Sequence, residues 1–140
     1  MIEFVLVAGA LLALSFGIID FGRALYTYSF ITTVAREGTR WAAVRGSDSC
    51  TNSGSTLSDC NASVAQIQSY VQSLSEGATS PSQMTVTPTW SNCTVLANGA
   101  VNAPGCLVSV NVTYTFKFML PFMPKSSIPF STSSQLAISQ

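Results

Sequence analysis

Glu3 is the residue best placed to do chemistry in this chain: a carboxylate followed by sixteen residues, Phe4 to Ile19, that carry no charge. An ionised acid at the edge of an apolar helix is costly unless a cation meets it, so the position calls for ion pairing rather than proton transfer. In a bundle of identical helices the available cation is the α-amino group of an adjacent copy. The other reading places Glu3 at the level of lipid headgroups, or at a helix N-terminus whose macrodipole it complements. Farther along, Asp20 and Arg23, and again Glu37 and Arg40, stand at i, i+3 on a helix, with Arg36 beside Arg40 on its polar side. Pairs of this kind make solvated or inter-subunit salt bridges; nothing next to them marks a catalytic carboxylate.

Enzymatic chemistry has few tools here. The chain of 140 residues contains no histidine, which removes the commonest general base and metal ligand, and it lacks the C-x-x-C-H motif of covalent haem attachment. Its serines have no G-x-S-x-G setting and no base. We therefore expect no enzyme, no cofactor and no metal. Six basic residues balance six acidic ones, so there is no basic surface for nucleic acid. Asn61-Ala62-Ser63, Asn92-Cys93-Thr94 and Asn111-Val112-Thr113 match the N-glycosylation pattern, but in a chain rich in Asn, Ser and Thr such short matches carry little.

The four cysteines, Cys50, Cys60, Cys93 and Cys106, lie in segments dense with Ser, Gly and Asn, and none has metal-finger spacing. An even count in a small, loop-rich region implies two disulfides and an oxidising compartment. Three pairings are possible. Cys50–Cys60 with Cys93–Cys106 is the one we favour, because each closes a short local loop and the second spans the turn signals Asn98-Gly99 and Pro104-Gly105.

The element that carries Glu3 is a helix continuing to about Arg45. From Phe4 to Ile19 it rises ~24 Å, close to what the ~30 Å hydrocarbon core of a bilayer requires, and Phe21, Ala24 and Leu25 extend it. No basic start and no small-x-small cleavage site marks it as a signal peptide. Ala8, Gly9, Ala10, Ala13, Ser15 and Gly17 are small enough to let helix backbones approach closely. For packing within an assembly we single out Phe4, Leu6, Gly9, Leu12, Phe16, Gly17, Phe21, Tyr28 and Trp41. Above Ile19 one apolar stripe contains Tyr28, Ile31, Ala35, Gly38 and Ala42, and a second contains Phe30, Val34 and Trp41. The head is expected to cover one stripe, leaving the other to a neighbouring molecule. Core packing, rather than electron conduction, accounts for the aromatic series from Phe4 to Trp41.

Past Arg45 the composition turns polar, with Gly46 as the helix stop. Residues 1–46 thus form a hydrophobic and amphipathic assembly helix, and residues 47–140 an extracytoplasmic head. Asn61 or Ser63 can cap a second helix, in which Val64, Ile67, Tyr70 or Val71, and Leu74 recur until Gly77. MTVTPTW from Met84 reads as a strand that Pro88 confines to an edge. Val108, Val110, Val112, Tyr114, Phe116 and Phe118 alternate with polar residues in the strongest strand, and Phe130 to Ser139 forms the last, with Leu136 and Ile138 inward. The fold class is α+β: a long N-terminal helix packed by a small antiparallel sheet, with a short second helix and disulfide support.

The stretch FGIIDFGRALYTYS (residues 16–29), followed by AREGTRWAAV (residues 35–44), resembles the TadE/TadG-like pilins of the tight-adherence branch of type IV pili. The resemblance covers about the first 45 residues. It implies a membrane-held precursor that loses a leader to a prepilin peptidase. An inner-membrane platform and an assembly ATPase then draw it from the membrane into a helical homopolymer on a bacterial or archaeal surface, for adhesion. It also assigns Glu3 to neutralise a neighbouring N-terminus. Two features depart from the pattern. Family members carry more residues between the cleavage point and the glutamate than Met1 and Ile2, so we expect further residues and a leader ahead of Met1. Many also have Pro where Gly9 stands. The rival expectation is a membrane-anchored monomeric binding module.

Overall fold

Helix-compatible apolar and small residues carry one unbroken helix, α1 (Ile2–Val44), whose 43 residues extend for roughly 65 Å. The structure, a computed structural model, describes residues 2–49, 61–75, 83–93, 102–119 and 127–139. After α1 come a second helix, α2 (Val64–Ser75), and three strands, β1 (Met84–Ser91), β2 (Leu107–Lys117) and β3 (Ser127–Ala137). The expected Cys50–Cys60 bridge lies outside the described residues.

The strands form one antiparallel sheet in the order β1-β2-β3. Strict alternation places Val108, Val110, Val112, Tyr114 and Phe116 of the central strand on the buried face. Pro88 sits opposite Val110 on the edge strand β1, where its missing N–H interrupts no second ladder. Up to Lys117 at the end of β2, the reverse face carries uncharged polar side chains, with Thr85, Thr113 and Ser131 in one cross-strand row and Thr87, Asn111 and Ser133 in the next.

The upper half of α1 and all of α2 close the buried face as a second layer. Ile31, Val34, Ala35, Ala42 and Ala43 of α1 join Ile67 and Val71 of α2 and the inner residues of β2 in a single core. Ser63 caps α2 by a reciprocal exchange: the Gln66 N–H donates to Ser63 Oγ at 3.3 Å, and the Ser63 N–H donates to Gln66 Oε1 at 2.8 Å. Asn61 is therefore not the cap; it adopts φ 61° and accepts a hydrogen bond from Asn102 at 2.7 Å.

Helix α1 stops at Val44 without a left-handed Gly46. The Ala62 N–H donates to the Arg45 carbonyl at 2.9 Å and the Ser47 N–H to that of Asn102, so later segments of the same chain close the helix end. Gly105 does use the left-handed region, at φ +88°, as the third residue of a turn closed by the Cys106 N–H on the Ala103 carbonyl at 3.0 Å. Pro104 then Gly105 is the sequence a type II turn requires. Cys93 and Cys106 are bridged across this end of the sheet, their Cα atoms 4.7 Å apart and 13 residues apart in sequence.

One expectation fails in β3. Ile138 is buried, but Leu136 remains 47% exposed. There α1 lies directly on the strand: Thr39 Oγ1 donates to the Ser134 carbonyl at 3.2 Å and the Ser139 N–H to the Ala43 carbonyl at 3.1 Å. That approach leaves no space between helix and strand for a leucine.

Candidate assembly surface

Burial divides α1 sharply. From Ile2 to Ile19 no residue is buried, and Ile2, Phe4, Leu6, Leu12, Leu14, Phe16 and Ile18 are all well exposed. Such a continuous apolar surface is far more than the scattered exposed leucines of an ordinary soluble domain. Ser15, a polar interruption, donates its hydroxyl to the Leu11 carbonyl at 2.9 Å, which removes an open donor from the surface. By length and composition α1 can cross a membrane. Glu3 lies exposed in its first turn. Beside Gly9, Gly17 and Gly22, a side-chain methyl would meet nothing of this chain within 4 Å.

The transition comes at Asp20. This residue is 3% exposed, and its carboxylate accepts from Arg23 Nη1 at 2.9 Å and from the Met119 N–H at 3.1 Å. The i, i+3 pair read from the sequence forms within the chain, and Asp20 in addition ties the residues just past β2 to the helix. The spacing gave the Arg23 partner. Met119 is 99 residues distant, and no local pattern could have supplied it.

Above Asp20 the chain satisfies itself more completely than its two stripes implied. Ile31, Ala35, Gly38 and Ala42 of the first stripe are buried, and so is Val34 of the second. Trp41 stacks on Tyr70 of α2 with ring centroids 4.9 Å apart, while the Arg45 guanidinium covers the ring at 4.3 Å. Phe30 packs against the core, and Tyr28, still half exposed, meets Phe130 edge-on at 6.1 Å. Because α2 supplies a second packing partner, the expectation that one stripe must wait for a neighbour does not hold here. Arg36, Glu37 and Arg40 remain exposed, and among the described residues Arg23 with Asp20 is the ion pair formed.

Phe4, Leu6, Leu12, Phe16 and Phe21 are thus bare, whereas Trp41 is packed within its own chain. The architecture is that of a membrane-type helix whose distal half is built into a small disulfide-bonded head. Residues 1–40 match the model of a family described as TadE-like protein, in agreement with the resemblance to TadE/TadG-like pilins. The match points to a component associated with the Tad pilus and covers α1 except its last four residues. No curated protein and no solved structure matches the chain.

Proposed function

We propose that this protein is a structural pilin subunit that polymerises through the lower half of α1 into an extracellular Tad-type filament serving surface attachment. The observation that carries this reading is the unburied apolar surface from Ile2 to Ile19, continuous with a helix whose upper half is already satisfied. Out of lipid, each large side chain buried from water contributes ~1.5–3 kcal/mol to association. Relative to a bilayer the gain is smaller, and close packing at Gly9 and Gly17 together with an ion pair at Glu3 must supply it. Under this reading the membrane holds the subunit before assembly. A prepilin peptidase, an inner-membrane platform and an assembly ATPase are the partners that the family resemblance implies.

Substituting Glu3→Ala tests the assembly role. The head should fold as before, and electron microscopy of sheared surface material should show few fibres; a normal filament yield removes the role assigned to Glu3.

A membrane-anchored monomeric binding module is the second reading. It is favoured by the way the head covers its own helix from Ile31 onward, so that no upper apolar stripe demands a neighbour. Mass spectrometry of the main band in sheared material separates the two: recovery of this chain in fibres supports the pilin, and its retention as a monomer in the membrane supports the module.

A further inference from the structure

A groove of about 640 Å³ opens between α1 and the lower end of β2, where the apolar run of the helix gives way to the head. Ile19 and Phe116 supply its apolar lining, Tyr26 and Gln83 polar groups and Arg23 a positive charge, while Lys117, of opposite strand parity to Phe116, borders the groove with an exposed side chain long enough to reach over its rim. Arg23 is held in place before any ligand arrives: one nitrogen bonds Asp20, and the guanidinium lies 5.4 Å from the centre of the Phe116 ring. A guanidinium has five N–H donors, so the Asp20 contact leaves others for an anion. Asp20 is already matched by Arg23 and the Met119 amide. Lys117, for which no ion pair is formed among the described residues, brings an uncompensated positive charge.

We propose that this groove holds the phosphate of an anionic membrane phospholipid. The inference rests on the membrane-held state proposed above, and it adds a specific lipid to it. The position argues for a lipid as the source: the groove begins at Ile19, the last residue of the uncharged run, so with that run in a bilayer it opens at headgroup height. Basic side chains within a Debye length of an anionic membrane surface are attracted to its headgroups. Tyr26, largely exposed beside the groove, suits the same interfacial zone, and the bare flank of Ile18, Ile19 and Phe21 offers a surface along which acyl chains can lie. Arginine and lysine together complement a phosphate, the first by directional donors and the second by charge.

The test uses the full chain reconstituted into vesicles of phosphatidylcholine, with or without phosphatidylglycerol. Flotation establishes insertion, and native mass spectrometry after gentle detergent release counts the lipid retained. We expect phosphatidylglycerol to remain bound and phosphatidylcholine not to. Lys117→Ser should lower retention several-fold, Lys117→Arg should restore it, and inorganic phosphate in excess should displace little of the lipid. Lys117 is the exposed last residue of β2, opposite Ser127, so circular dichroism of the serine variant should match that of the parent. A chain that fails to float overturns the membrane-held state and this site with it. A chain that floats but retains both lipids equally, or is indifferent to Lys117→Ser, or yields its lipid readily to inorganic phosphate, overturns the lipid site alone.

Discussion

Gly38→Ala puts the contact between the two helices to a quantitative test. A Cβ built at Gly38 would lie 2.5 Å from Val71 Cγ2 and 3.8 Å from Val110 Cγ1. Carbon atoms settle at about 3.5–4.0 Å, so the two helices would have to separate locally or Val71 would have to leave its rotamer. Val71 is fully buried and β-branched, which makes the second escape stiff. Overpacking of this kind costs about 1–3 kcal/mol, while replacing a helical glycine by alanine returns about 1 kcal/mol, leaving a net loss of up to about 2 kcal/mol. The single variant therefore tests the contact less sharply than a double-mutant cycle does. Val71→Ala alone opens a cavity and should cost about 2 kcal/mol, but in its presence Gly38→Ala should become stabilising, because its methyl enters the vacated space. Thermal unfolding of the full chain in detergent, followed by circular dichroism, should reveal a compensating coupling of about 1 kcal/mol or more. At about 3–4 °C per kcal/mol for a chain of this length, that is readily measured. Additive effects would refute the close approach. Gly9→Ala and Gly17→Ala provide the contrast: with nothing nearby in the chain, neither should lower the stability of the isolated protein.

Asp20→Ala should release the end of β2, exposing the Met119 amide to faster hydrogen exchange and lowering stability by about 1–2 kcal/mol, a range reduced for the partly exposed Arg23 partner; unchanged exchange at Met119 would show that the clasp is dispensable. Replacing Cys93 and Cys106 together by serine should cost about 3 kcal/mol, the value expected for a loop of this length, and a reducing agent should then have less effect on that variant than on the parent. Trp41→Ser removes the contacts with Tyr70 and Arg45 and should lower the melting temperature of the lone chain in detergent. If only the fibre weakens, Trp41 acts between subunits rather than within one.

The parts of the fold legible in the sequence are those encoded locally. The alternation of β2, Pro88 at an edge, the Pro104-Gly105 turn and the pairing of Cys93 with Cys106 each depend on spacing over a few residues. Ser63 could have been preferred to Asn61 as the cap, since Gln66 stands at the third position after it. The bare apolar segment of the candidate surface was equally plain from composition. What escaped is set by packing at a distance. Leu136 keeps the parity of an inward residue yet faces solvent, because α1 rests on the backbone of β3. The sequence leaves one of the two stripes to a neighbour because the reach of α2 to Trp41 is a property of two helices meeting, and neither segment alone reports it. The groove at Arg23 and Lys117 joins residues from opposite ends of the chain for the same reason.

With no break between Ile2 and Val44, the head and the bare shaft below it turn as one body. Inserting a single residue after Ile19 would swing everything beneath by about 100° and displace it by about 1.5 Å, although composition would scarcely change. Seven inserted residues would bring the azimuth back to within about 20° while lengthening the shaft by about two turns. The count of residues between Glu3 and Asp20 therefore sets the compass bearing of the sheet relative to whatever grips the shaft.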